Sequence, residues 1–215
     1  MKNYLFDLDG VILNSMPYHA KAMREACAIF GIDLKEEVVL YNEGAITYDL
    51  LKGVAKQTNI NFTMENFLEI INYHKKFFIE KYARYVKPFD GVMEILYQLK
   101  EKDKKLAIVT GSDKEIVDAD LPKEIFNILD VIITSDRIAH RKPHPQPYLK
   151  ALELLNAKVD ESIAVENSPT GILSAKSAGL KCIAIPTTLP KEKLQIADLI
   201  VENHSELKKY LLNGF

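Results

Sequence analysis

Short apolar runs alternate with longer helical patterns along most of the chain. Most of these runs are rich in isoleucine and valine and end in turn-forming residues, which predicts buried β-strands. The predicted strands are residues 4–6, 105–110, 131–134, 162–166, 182–186 and 198–202. The helical patterns that alternate with them begin near residues 17, 90, 145, 168, 191 and 205, the one at 90 preceding the strand at 105–110. This alternation indicates an α/β fold, in which helices cover both faces of a parallel sheet.

One stretch, residues 15–86, contains no convincing strand. Its patterns are helical only, and the predicted helices are residues 17–30, 47–57 and 63–84. Proline and glycine within residues 86–91 are typical of a return to the main fold. We therefore predict an inserted α-helical cap domain at residues 15–86. The α/β core domain, predicted to be catalytic, would be formed by residues 1–14 and 87–215.

The composition and charge change this picture little. Of 215 residues, 47% are hydrophobic and 27% are charged, and the formal net charge is −2. Lysine and arginine are spread along the chain, so neither nucleic acid nor a membrane is expected as a partner. Asp7 and Asp9 interrupt the first apolar run too early for a signal peptide. Cys27 and Cys182 are expected to be reduced, buried thiols, which predicts a cytoplasmic protein.

Two carboxylates, Asp7 and Asp9, stand two residues apart where the first strand ends. In an extended strand residues i and i+2 point to the same face, so the two side chains begin close together. Like charges raise each other's pKa, and either a cation or a retained proton must compensate. The alternative is a simple polar turn, because aspartate and the following Gly10 both favour turns.

The second strand is followed by Thr110, Gly111 and Ser112. Ser112 and Glu115 are spaced as a capping box for the next helix. A helix N-terminus also offers main-chain N–H groups to an anion, while Thr110 adds a hydroxyl and Gly111 permits close approach. The stretch is therefore interpreted either as a structural cap or as an anion-binding turn.

The loops after the third and fourth strands carry further polar residues. Lys142 precedes a proline, which favours an extended backbone, although a solvated basic loop is the simpler interpretation. Glu166 and Asn167 end the fourth strand and are either turn residues or hard oxygen ligands for Mg²⁺. In an open parallel sheet these strand ends meet at one edge, where ligands bind. Together with the two aspartates they suit a phosphate bound beside Mg²⁺.

Four segments resemble the signature motifs of the haloacid dehalogenase (HAD) superfamily. They are FDLDGV (6–11), IVTGS (108–112), RKPHPQPY (141–148) and VENSPTGILSAKSAG (165–179). The resemblance extends over the whole chain, including the helical insert, and is greatest to members of the β-phosphoglucomutase and phosphoglycolate-phosphatase type. It implies a Rossmann-like core with a small helical cap.

The resemblance also implies residue roles. Asp7 would be the nucleophile that takes the phosphoryl group, and Asp9 would be the general acid and then the base. Thr110, the amides near Gly111, and Lys142 would stabilise charge on the phosphoryl oxygens.

The ligand sets follow from the same resemblance. Mg²⁺ would be held by the Asp7 carboxylate, the Asp9 carbonyl, Glu166 and Asn167. Contacts to the substrate are expected from Gly111, Ser112, His19 and Glu43. Most relatives carry aspartate in place of Asn167, whose neutral oxygen can still bind Mg²⁺ but adds no charge.

More than one activity is compatible with these motifs. Asp9 disfavours carbon–halogen hydrolysis, which needs no acid for an alcohol leaving group. Hexose-phosphate mutases have an arginine after the cap-loop glycine, whereas Gly44 here is followed by Ala45, Ile46 and Thr47. We therefore favour a phosphomonoester phosphatase acting on a small phosphorylated metabolite, as a monomer or weak dimer. The alternatives are a β-phosphoglucomutase-type mutase and a non-catalytic protein that binds a phosphorylated metabolite.

Overall fold

The computed structural model describes residues 1–42, 47–57 and 60–213 of the chain. The chain divides into two units, Met1–Asn14 with Lys87–Phe215, and Ser15–Val86. The first contains a β-sheet and its helices, and the second is helical in its described parts. We call them the sheet unit and the helical unit, and each is described by itself.

The sheet unit is built on parallel strands. They are β1 (Asn3–Phe6), β2 (Lys105–Val109), β3 (Val131–Ile133), β4 (Ser162–Glu166), β5 (Lys181–Ala184) and β6 (Leu199–Ile200). Their order across the sheet is β3-β2-β1-β4-β5-β6, and every pair of neighbours is parallel. The α/β fold predicted from the alternating pattern is therefore confirmed.

Strand β1 lies between β2 and β4 and is buried along its whole length. Phe6 is level with Ile108 of β2 and with Val165 of β4. One residue further on, Asp7 and Glu166 reach the same edge of the sheet, where the Asp7 N–H donates to the Val165 carbonyl at 2.9 Å. The register thus brings the polar residues that end these strands together, as at the carboxyl edge of open α/β sheets.

The helical unit contains α1 (Met16–Ile29), α2 (Glu36–Tyr41), α3 (Tyr48–Gln57) and α4 (Met64–Phe77). Helix α1 packs against α4, and buried apolar side chains from these helices and their connections form a common core, among them Met23, Cys27, Leu51 and Ile70. Helix α4 begins with a capping box, because Thr63 accepts the Asn66 N–H and the Asn66 side chain accepts the Thr63 N–H.

The helices of the sheet unit are α5 (Val92–Glu101), α6 (Lys114–Asp120), α7 (Lys123–Phe126), α8 (Gln146–Leu155), α9 (Pro169–Ser177) and α10 (His204–Asn213). Helices α8 and α9 pack together and supply Tyr148, Leu152 and Ile172 to the same buried cluster as Leu5 and Val109 of the sheet. The site residues described below therefore stand on elements that are fixed by apolar packing.

Two predicted helices differ from the observed ones, and two short observed helices were not predicted. The helix predicted near residue 191 is wrong, because Lys191–Lys193 form only one 3₁₀ turn before the chain enters the short connection to β6. The helix predicted over residues 63–84 ends as regular α-helix at Phe77 and continues as a π-helical turn, Phe78–Tyr82. The short helices α2 and α7 were not predicted, since four to six residues give too little periodicity to detect.

Neither cysteine forms a disulfide. Cys27 and Cys182 are buried free thiols, and burial raises the pKa of the Cys27 thiol to about 12, which makes it unreactive. Over residues 1–42, 47–57 and 60–213, no helix has the length and apolar character needed to cross a membrane.

Candidate active site

Lys142 is the centre of a charge network at the carboxyl ends of β1, β2 and β4. Its side chain is 10% exposed, and Nζ donates to Asp7 Oδ1 at 2.6 Å, to Glu166 Oε1 at 2.6 Å and to the Val109 carbonyl at 2.8 Å. An ammonium group has three hydrogens, so these bonds use all of them. The lysine is therefore held between two carboxylates rather than standing in a solvated basic loop.

Burial and charge act in opposite directions on this network. Burial raises the pKa of Asp7, Lys142 opposes that shift, and the Glu166 and Asp9 carboxylates add to it. For Lys142, burial alone would lower the pKa, but attraction to Asp7 and Glu166 outweighs burial and raises it. When all three acids are ionised, one ammonium leaves the cluster with excess negative charge, which a divalent cation would offset.

Both oxygens of the Glu166 carboxylate are hydrogen-bonded, and the residue is fully buried. Oε1 accepts from Lys142 and from the Tyr148 hydroxyl at 2.7 Å, while Oε2 accepts the Asn167 N–H at 3.1 Å. The carboxylate also needs the space left by Gly171, because a Cβ there would lie 2.0 Å from Oε1. Sequence reasoning missed Tyr148 and Gly171. Both lie inside the HAD-like motifs, but nothing in their sequence neighbours indicates a contact with Glu166.

Asp9 is half-buried and is bound by hydroxyls from the turn after β2. Its Oδ2 accepts from Ser112 Oγ at 2.8 Å and from Thr110 Oγ1 at 3.2 Å. Thr110 Oγ1 in turn accepts the Ser112 N–H at 3.0 Å, which holds the turn in place. Two residues predicted to face a phosphate thus contact the proposed general acid directly.

The predicted capping box of Ser112 and Glu115 is wrong. Helix α6 is capped one residue later by Asp113, whose Oδ1 accepts the Ile116 N–H at 3.2 Å. Serine and aspartate cap helices equally well, so the local sequence does not choose between them. Ser112 is not the cap because its hydroxyl donates to Asp9 instead.

Asn167 is fully buried beside the turn that follows β1. Its Nδ2 donates to Thr188 Oγ1 at 3.3 Å, and a Cβ at Gly10 would lie 2.0 Å from the same nitrogen. Gly10 has a φ of 82°, a backbone region that favours glycine. The Thr187 hydroxyl donates to the Gly10 carbonyl at 2.5 Å. The turn that carries Asp9 is thereby fixed next to the end of β4.

A model of the family described as haloacid dehalogenase-like hydrolase matches residues 4–185 of the chain. The chain belongs to this family. The matched span contains Asp7, Asp9, Thr110, Lys142 and Glu166.

The relatives of this HAD-like hydrolase include proteins named as a phosphatase and as a pyrophosphatase. It is 28% identical over 205 residues to the validoxylamine A 7′-phosphate phosphatase of Streptomyces hygroscopicus subsp. limoneus, covering 95% of this chain and 94% of that one. It is 29% identical over 217 residues to the pyrophosphatase PpaX of Bacillus mycoides (strain KBAB4), covering 98% and 97%. The crystal structure of a hydrolase from Pseudomonas syringae has the same fold, with a TM-score of 0.84, 21% identity and coverage of 98% of each chain. The sequence-based assignment to HAD-type phosphatases is confirmed.

Two substrate contacts, His19 and Glu43, were predicted in the helical unit. The His19 ring stacks on Phe78 with centroids 3.8 Å apart, and His19 Nδ1 lies 3.2 Å from His74 Nε2. These contacts fix the ring within its own unit, so a substrate contact by His19 stays a prediction. Glu43, the other predicted contact, lies outside the described residues.

Asp120 is an acid that sequence reasoning missed. It ends α6 and is 6% exposed, and one of its carboxyl oxygens lies within 4.8 Å of a carboxyl oxygen of Asp9. Neither oxygen has a hydrogen-bond partner on another residue in the part of the chain that the structure describes. Burial, and secondarily the Asp9 charge, raise the pKa of Asp120 to about 9. In the sequence it stands at the end of a helical pattern, two residues after Asp118, and no motif marks it.

Proposed function

We propose that this HAD-like hydrolase is a Mg²⁺-dependent phosphatase that cleaves a small phosphorylated metabolite through an aspartyl phosphate on Asp7. The main support is the Lys142 network, in which one ammonium joins buried Asp7 to buried Glu166. A second carboxyl, Asp9, lies two residues from Asp7 and is oriented by hydroxyl groups. A nucleophile, an acid and a fixed positive charge are the parts that phosphoryl transfer needs.

In the first step a carboxylate oxygen of Asp7 attacks phosphorus. The bond between phosphorus and the ester oxygen breaks, and its electron pair leaves with the alcohol oxygen. Asp9 gives its proton to that oxygen, so the alcohol departs neutral. Lys142 holds the attacking carboxylate in place through its bond to Asp7 Oδ1.

In the second step water attacks the phosphorus of the aspartyl phosphate. Asp9, now a carboxylate, takes a proton from this water, and the bond from phosphorus to the Asp7 oxygen breaks. Inorganic phosphate leaves, and both carboxyl groups return to their starting states. The hydroxyls of Thr110 and Ser112, which donate to Asp9 Oδ2, orient the carboxylate in its role as base.

The oxygen donors at this edge of the sheet fit Mg²⁺, which prefers carboxylate and carbonyl ligands. Asp7, the Asp9 carbonyl and the Asn167 side chain would hold it. Glu166, with both oxygens bonded within the protein, would contribute chiefly its negative charge. Bound there, Mg²⁺ would supply positive charge next to the phosphoryl oxygens.

Phosphate release from an aryl phosphate and from a panel of sugar phosphates, with Mg²⁺ and with excess chelator, tests this function. We expect Mg²⁺-dependent release of inorganic phosphate. Conversion of a hexose 1-phosphate to its 6-phosphate without release would instead establish the mutase alternative. Tight binding of a phosphorylated metabolite with no product of either kind would establish the non-catalytic alternative.

Replacing Asn167 by aspartate is expected to lower the Mg²⁺ concentration for half-maximal activity severalfold, because the affinity of hard cations rises with ligand charge. The Thr188 hydroxyl, which accepts from Asn167 Nδ2, can rotate to donate to the new carboxylate. Asn167→Ala should raise the same midpoint, because it removes an oxygen donor. Titrating Mg²⁺ against activity measures both, with Asn127→Asp as a control that adds the same charge at an exposed position. A shared midpoint for all four proteins would show that Asn167 is not a ligand.

A further inference from the structure

The carboxyl group of Asp120 is buried, and neither of its oxygens is hydrogen-bonded to another described residue. Burying such a group without a hydrogen-bond partner is unfavourable. Two exposed aspartates of the sheet unit are bonded, since each accepts both a lysine and a main-chain N–H. Asp198 binds Lys176 and the Cys182 N–H, and Asp130 binds Lys100 and the Leu106 N–H. Asp120 does not share this structural role.

Lys142, the buried lysine of the active-site network, does not compensate Asp120. Lys142 already uses its three hydrogens on Asp7, Glu166 and the Val109 carbonyl. Because neither Asp120 oxygen has a hydrogen-bond partner among the described residues, a group on a bound molecule can serve as that partner.

The position of Asp120 indicates which part of a bound substrate can supply its hydrogen-bond partner. Asp9 is the acid proposed to contact the ester oxygen of the leaving group. The carboxyl oxygens of the two residues lie within 4.8 Å of each other, which is less than two O–H···O hydrogen bonds of about 2.8 Å each. A polar group on the carbon next to the ester carbon can therefore hydrogen-bond to Asp120 while the ester oxygen hydrogen-bonds to Asp9.

We propose that Asp120 is a specificity residue that binds a hydroxyl or amino group on the carbon next to the ester carbon of the substrate. This inference rests on the proposed phosphatase function and narrows its substrate class to phosphates of polyols or amino alcohols. It also disfavours pyrophosphate as a substrate, because a phosphate leaving group has no such hydroxyl or amino group and would place a charge beside the buried Asp120.

A matched set of substrates tests this proposal. The set is 2-hydroxypropyl phosphate, 2-aminopropyl phosphate, propyl phosphate and pyrophosphate, each with saturating Mg²⁺. For the wild type we expect kcat/KM to be about 10- to 100-fold higher for at least one donor-bearing ester than for propyl phosphate, the range expected when a buried polar group gains or lacks its hydrogen-bond partner. Pyrophosphate should be the poorest of the four.

Asp120→Ala should remove this preference by lowering kcat/KM for the donor-bearing esters alone. Its kcat/KM for propyl phosphate should stay within about threefold of the wild type, since that ester makes no bond to Asp120. Asp120→Asn, which keeps the shape and one acceptor, should retain part of the preference. Asp118→Ala is the control, because Asp118 lies exposed on the same helix. Melting temperatures equal to or above that of the wild type would show that the Asp120 variants fold.

A preference that Asp120→Ala leaves intact, or a wild type without any preference, would overturn the proposal. Binding measured by calorimetry keeps this test separate from catalysis. In an Asp7→Asn background, 2-hydroxypropyl and 2-aminopropyl phosphate should bind more tightly than propyl phosphate, and Asp120→Ala should abolish the difference. If no ester is hydrolysed, the phosphatase function fails, and the binding comparison still decides the role of Asp120. Equal affinities in both backgrounds would refute it.

Discussion

Asp7→Asn is expected to lower kcat by at least about three orders of magnitude, because the amide cannot form the phosphoryl-enzyme and Asp9, the other carboxyl at the end of β1, is bound by Thr110 and Ser112. The substitution is nearly isosteric, and the amide oxygen can still accept from Lys142, which donates to Asp7 Oδ1 at 2.6 Å. The fold should therefore persist, and circular dichroism together with the melting temperature checks that it does.

The kinetic measurement for Asp7 needs two controls. Asp33→Asn changes an exposed aspartate in the helical unit and should leave kcat unchanged. Intact mass at the end of each assay excludes conversion of the introduced asparagine back to aspartate. Retention of more than about a tenth of the wild-type rate, a loss below about 1.4 kcal/mol, would mean that Asp7 is not the nucleophile.

Lys142→Met is expected to destabilise the sheet unit by about 3–5 kcal/mol in the absence of Mg²⁺ and to abolish measurable turnover. The reason is that Asp7 and Glu166, both buried, would lose the ammonium that binds them. Added Mg²⁺ should recover part of the lost stability, because a dication at the same carboxylates offsets their repulsion. Thermal and denaturant unfolding with and without Mg²⁺ measure both effects.

Lys150→Met is the matched control for this prediction. Lys150 lies on α8 and pairs with Glu153, with 40% of its side chain exposed. Surface pairs of this kind contribute no more than about 1 kcal/mol. A Lys142 variant that is no less stable than the Lys150 variant would show that the buried network does not hold the site together.

The sheet could be predicted from the sequence because its signal is local. Runs such as Leu106–Val109 and Ile163–Val165 are apolar, β-branched in part and bounded by turn residues, and the strands occur where these runs stand. The helix near residue 191 was wrong for the complementary reason. Its apparent pattern is short and follows Pro190, and the fully buried Leu194 belongs to a loop rather than to a helix face.

The site was only partly predictable. Asp7, Asp9 and Glu166 stand at strand ends, and the parallel register brings such residues together in any fold of this type. The hydrogen bond of Tyr148 to Glu166 and the lack of a hydrogen-bond partner for Asp120 depend on where α8 and α6 lie in the folded chain. The spacing of residues along the sequence does not predict these positions.

Chemical trapping of the enzyme during turnover tests the central claim most directly. Borohydride reduces an acyl phosphate to the alcohol, so quenching the Mg²⁺-loaded enzyme with borohydride during steady-state hydrolysis should convert the residue at position 7 to homoserine. Mass spectrometry of the N-terminal peptide should find this change only when substrate is present, and never in the Asp7→Asn variant. Continued phosphate release with Asp7 unmodified, or reduction at any other carboxyl group, would contradict the account.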